Sequence, residues 1–275
     1  MKIIKQASRS CSVDLEGDEL WCKSALIGTD YEAYVHLKVS LDNIIKYVQW
    51  ELYRAPFAYE VKSGEIQELS GQSIFAYSSR STARFLDPAS KDVMLELIAE
   101  GIRGVLQTNR FAGKGSDNPS FDDFEKNPVA DYLAGTCLFH SLPNRFEVAR
   151  TYIEENYSYP GLSLCHRQKS YHLYAQPDQG LCATACFADS AHEILLTVSL
   201  SAVGIITEID GTFLRFPLAV CTTTIDLLKG LKGKKLGDMS KKEIAQFVGG
   251  PYGCTHLVEP CYDLALELAQ LAMTK

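Results

Sequence analysis

Residues 20–61, LWCKSALIGTDYEAYVHLKVSLDNIIKYVQWELYRAPFAYEV, and residues 181–222, LCATACFADSAHEILLTVSLSAVGIITEIDGTFLRFPLAVCT, are the pair of stretches whose comparison decides the fold. Displaced by 161 positions they fall on each other without a gap: Leu20 on Leu181, Glu32 on Glu193, Ser40 on Ser201, Ile45 on Ile206, Arg54 on Arg215, Pro56 on Pro217 and Ala58 on Ala219. With one residue inserted, Gly71 meets Gly233 and Phe85 meets Phe247. In the first copy Tyr31, Ala33, Val35, Leu37 and Val39 alternate with Glu32, Tyr34, His36 and Lys38, the period of a half-buried strand. The second copy keeps the phase through Ile194, Leu196, Val198 and Leu200, so His192 opens the apolar face of its strand. Ile205 to Ile209, Asp210-Gly211 and Thr212 to Phe216 then read as a hairpin, because Asp-Gly supplies the positive φ angles of a tight turn.

Helices follow each meander. Leu218, Ile225, Leu228 and Leu231 recur at roughly helical spacing after Pro217, with Gly233 as the stop. Ser240 and Glu243 have capping-box spacing for a short helix ending at Val248, and Gly249-Gly250-Pro251-Tyr252-Gly253 turns the chain. A last helix is expected from about Pro260 through Ala272, with Asp92 to Gln107 as its counterpart. The expected fold is therefore α+β: a tandem duplication of an antiparallel β-meander followed by helices. Residues 1–107 form the first repeat, a degenerate scaffold; 108–165 form a connecting loop and an extra segment; 166–275 form the second repeat, which carries the candidate site. The connection holds Gly113, Gly115, Ser116, Asp117, Asn118, Pro119 and Ser120, and its Gly-Lys-Gly-Ser lacks the spacing of a phosphate loop. Within the extra segment, Tyr132 to Tyr159, Cys137 and His140 are three apart and could share a helix face, without a second pair to close a metal site.

The 275 residues are 46% apolar and 22% charged, which is globular composition, and the net charge of −7 with scattered Lys and Arg excludes nucleic acid as the main partner. No run reaches the length of a membrane span, and Met1 to Ser10 has no apolar core of a secretory signal, so the chain is expected in the cytoplasm. Nine cysteines, an odd number, read as reduced thiols, most of them, such as Cys22, Cys182 and Cys186, packed as small hydrophobes.

The two copies differ where the chemistry is. His192 faces Tyr31, Cys221 faces Glu60, Cys254 faces Asp92 and His256 faces Met94. Four independent core positions would not exchange Cys and His for Asp, Glu, Tyr and Met together, since Glu60 and Asp92 would be costly to bury. Gly253-Cys254-Thr255-His256 offers two soft donors beside a glycine turn, and Cys221 lies near a helix start, where free amides stabilise a thiolate. The expected site is His192, Cys221, Cys254 and His256 around Zn2+, with Fe as the second choice; an open position would make it a metal-dependent hydrolase. The rivals are a thiol transferase or sulfur carrier using Cys254 as nucleophile, and a non-catalytic binding module for an unknown small molecule or protein, a pseudo-dimer within one chain that could also form a homodimer. Arg54 and Arg215, each in Arg-x-Pro, read as architecture that hydrogen-bonds carbonyls or a carboxylate, with a substrate-anion role for Arg215 as the alternative.

His192-Glu193, Arg215-Phe216-Pro217 with Cys221 four residues on, Leu231-Lys232-Gly233 and Gly253-Cys254-Thr255-His256-Leu257 resemble the bacterial family known as domain of unknown function 2889. The resemblance covers roughly residues 166 to 275, with Gly-Cys-Thr-His-Leu ahead of a helix as its most specific element. Where that family typically has Asp and Met after the strand histidine, Glu193 and Ile194 stand here. The first copy matches in scaffold alone, and the resemblance implies a site without naming its reaction.

Overall fold

The computed structural model describes residues 2–56, 61–88, 90–108, 128–145, 147, 163–177 and 179–273. Glu60, the loop residues from Gly113 to Ser120 and Tyr159 lie outside them. The strands are β1 (Lys2–Glu16), β2 (Glu19–Gly28), β3 (Glu32–Ser40), β4 (Ile45–Arg54), β5 (Lys62–Glu65), β6 (Ser163–Ala175), β7 (Leu181–Ala188), β8 (Glu193–Leu200) and β9 (Ile206–Arg215). The helices are α1 (Ser79–Thr82), α2 (Lys91–Thr108), α3 (Pro128–Leu133), α4 (Ala219–Thr222), α5 (Lys241–Val248) and α6 (Thr255–Met273). The fold is mixed α+β, with antiparallel runs ordered β5-β4-β3-β2 in one half of the chain and β6-β7-β8-β9 in the other. By compactness the chain divides into one unit of Ser8–Tyr132 with Ser158–Arg167 and another of Met1–Ala7, Leu133–Tyr157 and Gln168–Lys275, so that β1 and β6 each lend one end to each.

In the first of these units the meander β2-β3-β4 pairs antiparallel, Leu20 opposite Val39 and Ile27 opposite Glu32, with irregularities in the β3–β4 register between Glu32 and Ala33 and between Lys38 and Val39. In the second, β7-β8-β9 does the same: Leu181 lies opposite Leu200, Ala188 opposite Glu193, and the irregularities fall between Glu193 and Ile194 and between Ser199 and Leu200. Every one of these positions is its counterpart displaced by 161. The helical ends keep step too, since Gly71 and Gly233 both hold a positive φ, +82° and +81°, that only glycine adopts without strain. Alternation drives this: Val35, Leu37 and Val39 on β3, and Ile194, Leu196 and Val198 on β8, are buried, each fully buried aliphatic chain contributing about 2 kcal/mol.

Asp210-Gly211 does not turn. It runs straight through β9, paired with Thr197 and Leu196. A Cβ on Gly211 would come within 2.6 Å of Leu196 Cδ2 and 3.0 Å of Leu228 Cδ1, so the glycine lets a 3-10 helix (Thr223–Leu231) press onto the strand. The capping box at Ser240 and Glu243 forms as expected at the start of α5. The last helix begins earlier than Pro260, at Thr255, and carries Pro260 inside it; with no N–H, that proline donates no helical hydrogen bond to the carbonyl of His256.

The buried face of α6 is charged. Lys169 on β6 lies 2.8 Å from Glu259 and 3.3 Å from Asp263, whose carboxylate also accepts a 2.6 Å bond from the Tyr171 hydroxyl. Lys5 on β1 pairs with Glu267 at 3.1 Å. In the other unit Arg167 pairs with Glu100 of α2 at 2.8 Å. Such pairs offset their own desolvation only when both partners are present, and losing one costs about 3–5 kcal/mol.

Candidate metal centre

The centre is built on the corner between β7 and β8. Asp189 donates its amide to His192 O at 2.8 Å, and its Oδ1 accepts the amides of Ala191 and His192 at 2.8 and 2.7 Å, so the carboxylate closes the turn locally. Arg215, at the end of β9, donates to the carbonyls of Asp189 at 2.6 Å and His192 at 3.3 Å, as Arg54 does to Gly28 and Thr29 at 2.7 Å each. The arginine common to both halves holds main-chain carbonyls at each corner.

A second corner brings the other half of the site. The Cys254 amide donates to Val248 O at 2.7 Å, folding the chain back over the end of α5. A Cβ on Gly253 would sit 2.3 Å from that same carbonyl, so no other residue fits the bend. Cys254 O accepts the amides of Leu257 and Val258, starting α6 and setting His256 in its first turn. Leu138 N donates to Gly253 O at 2.8 Å and Thr255 Oγ1 to Thr136 O at 3.0 Å, which seats the segment around Cys137 on this corner.

The two corners converge. The His192 and His256 rings stack with centroids 3.8 Å apart and 26° between their planes, and Phe187 lies 5.4 Å from the His256 ring. His192 Nδ1 is 3.2 Å from Asp189 Oδ1, and His256 Nε2 is 3.8 Å from Asp189 Oδ2. The Asp189 side chain is only 1% exposed, and a carboxylate so buried is stabilised by hydrogen-bond donors and positive charge, here the two amides of the turn and the facing imidazoles when protonated. One ligand atom from each of Asp189, His192 and His256 lies within 4.8 Å of the others. With bonds of about 2.0–2.2 Å, donor atoms on one tetrahedral ion are spaced at about 3.3 Å, so the three could hold one small ion once the side chains close in and the stacked rings turn their nitrogens toward it.

Of the four residues singled out from sequence, the structure thus brings His192 and His256 into this group. Cys254 Sγ lies 4.0 Å from His256 Nδ1, on the edge of the ring away from Asp189. Burial pushes the Cys254 thiol up to about 12, and the neighbouring Cys137 and Cys221 push in the same direction. Burial likewise pushes Cys221 up to about 11, with Cys137 adding to it. The expectation that helix starts would stabilise thiolates at these positions is outweighed: α4 has four residues, and desolvation exceeds what its amides or those of α6 return. Asp189 was missed by sequence reasoning. Its signal was available, since the residue at its place in the first copy is Gly28, but an Asp before a strand reads first as a turn former.

At the matching corner of the first half, Gly28 donates its amide to Tyr31 O at 2.9 Å, the bond that Asp189 makes to His192. Met94, fully buried in α2, stands at the place of His256, and Asp92 in the first turn of that helix at the place of Cys254.

No helix of the described residues is long and apolar enough to cross a membrane. No curated protein and no solved structure matches the chain. The family described as Protein of unknown function (DUF2889) matches residues 168–270, the stretch that contains Asp189, His192, Cys221, Cys254 and His256 together.

Proposed function

We propose that the second half of the chain binds one divalent transition-metal ion, zinc ahead of iron, on Asp189, His192 and His256. The observation that carries this reading is the buried carboxylate beside a nitrogen of each of two stacked imidazoles, at a corner whose counterpart has Gly28, Tyr31 and Met94. Cys254 supports it from behind: a thiol facing Nδ1 orients the His256 ring so that Nε2 meets the ion, and outer partners of this kind are worth about 10–100-fold in affinity. Three protein ligands leave a coordination position open, and the ion there would supply Lewis-acid chemistry suited to hydrolysis. The recurring strand register supports an origin by tandem duplication, in which one copy kept the scaffold and the other the site. The buried cysteines, held as thiols rather than disulfides, fit a reducing compartment such as the cytoplasm.

Metal analysis of protein purified without a histidine tag tests the reading. The expected result is close to one equivalent of zinc or iron, abolished by Asp189→Asn or His256→Ala and weakened about 10–100-fold in affinity by Cys254→Ser. Less than about a tenth of an equivalent, with folding unchanged by chelation, would sink it.

A further inference from the structure

The first half pairs a strand where the second half has an open edge. β5 lies antiparallel on β4, Glu65 opposite Gln49 and Ser63 opposite Glu51, and Ile66 donates its amide to Val48 O at 3.0 Å. Val48, Trp50 and Leu52 therefore present their backbone to β5, and in the same register Ile209, Gly211 and Phe213 present theirs along β9. The residues equivalent to β5, Thr223 to Asp226, lie instead in the 3-10 helix, whose Ile225 and Leu228 fill the space above Gly211. β9 is consequently the last strand in the hydrogen-bonding order; Ile206 at its start exchanges backbone bonds with Gly233 and Lys234, and among the described residues no strand pairs with the rest of its outer side. The Gly211 amide on that side donates to the carboxylate of its own neighbour Asp210 at 2.8 Å, a side chain standing where a partner strand's carbonyl would.

We propose that this edge binds a basic extended peptide as an added strand. Main-chain bonds to Ile209, Gly211 and Phe213 would hold it, and the side chains that flank the edge would select it. Glu208 and Asp210 are exposed on the outer face, and Leu214, 60% exposed, follows on the same face. An antiparallel strand in the register of β5 meets Leu214 first, then Thr212, Asp210 and Glu208. Its sequence from the N-terminus therefore alternates an apolar residue, a small polar one and two basic ones on the outer face. Charge decides against a second copy of the chain: two β9 edges paired around Gly211 would bring the Asp210 carboxylates of both copies into diagonal proximity.

The probe is the fluorescein-labelled peptide acetyl-VTTVKVR-amide, measured by anisotropy and by amide shifts in 15N-labelled protein. Saturable binding is expected, with the shifts concentrated on Ile209, Gly211 and Phe213. Asp210→Lys with Glu208→Lys should weaken it at least tenfold. The same peptide N-methylated at its second, fourth and sixth residues keeps every charge but loses the strand bonds, and should not bind. Equal binding of the methylated peptide would reduce the interaction to charge alone and overturn the proposal. So would shifts spread away from β9, or dimerisation without peptide that perturbs the same three amides. Because the methylated control is made in the peptide, the test holds even where the double variant folds poorly.

Discussion

The corners Gly28–Tyr31 and Asp189–His192 are one backbone carrying two chemistries. Each is closed by the amide of its first residue on the carbonyl of its fourth, at 2.9 and 2.8 Å, and each is held from outside by an arginine at the end of the neighbouring strand. One presents glycine and tyrosine; the other presents a carboxylate and an imidazole that stacks on a second imidazole from α6. The difference shows that the bend itself does not depend on one set of side chains: it forms with Gly28 and Tyr31 in one half, whereas in the other the Asp189 carboxylate both binds two amides of the turn and faces the imidazoles.

The largest expected effect comes from writing the first corner into the second. Asp189→Gly, His192→Tyr and His256→Met together should remove the metal entirely while the chain still folds, checked by metal analysis and circular dichroism. A metal content equal to that of the parent would break the comparison. Next is Gly253→Ala, where the added carbon would lie 2.3 Å from Val248 O; a loss of about 3 kcal/mol is expected in urea unfolding, and a loss under about 1 kcal/mol would show that the bend relaxes.

A third effect is read with pH in metal-free protein. Burial holds the Cys261 thiol up to about 12, whereas an unfolded thiol ionises at about 8.5. The folded state therefore keeps a proton that the unfolded state loses. This contribution is intact below about pH 8.5 and falls as pH rises toward the folded value, by up to about 1.4 kcal/mol per unit. Ala99 stands at the place of Cys261 in the first half, and Cys261→Ala should flatten the alkaline decline by that amount; an unchanged slope from pH 8 to 10 would refute the assignment. The smallest effect should be the same twice. Gly71→Ala and Gly233→Ala, at φ +82° and +81° with open space around both, should each cost about 1 kcal/mol, and a clear inequality would mean that the two turns are not equivalent.

The meanders were legible because their buried faces are apolar and alternate cleanly, as Val35, Leu37 and Val39 do. β1 and β6 were not. Their buried faces include Lys5 and Arg9, and Arg167 and Lys169, so the hydrophobic period is broken by charges whose acidic partners lie far away in sequence, as Glu267 and Glu259 do. Asp210-Gly211 misled for a related reason: the dipeptide has the chemistry of a turn, but a packing contact over Gly211 decides its conformation. At the candidate site, comparing the two halves found the histidines but not the carboxylate beside them. Asp189 bonds backbone amides and faces imidazoles at once, and only the first of those roles is visible in a local stretch of sequence.

The arginine that grips two carbonyls at each corner has a consequence for how such a chain can change. At the corner it holds main-chain oxygens, those of Gly28 and Thr29 in one case and of Asp189 and His192 in the other, with Arg215 also 3.5 Å from the Glu193 carboxylate, so its grip does not depend on the side chains at the first and fourth corner positions. Any residue compatible with the bend can be tried there without unfastening it. The corner behaves as a socket, in which new chemistry can be fitted or lost by single substitutions while the surrounding strands keep their register.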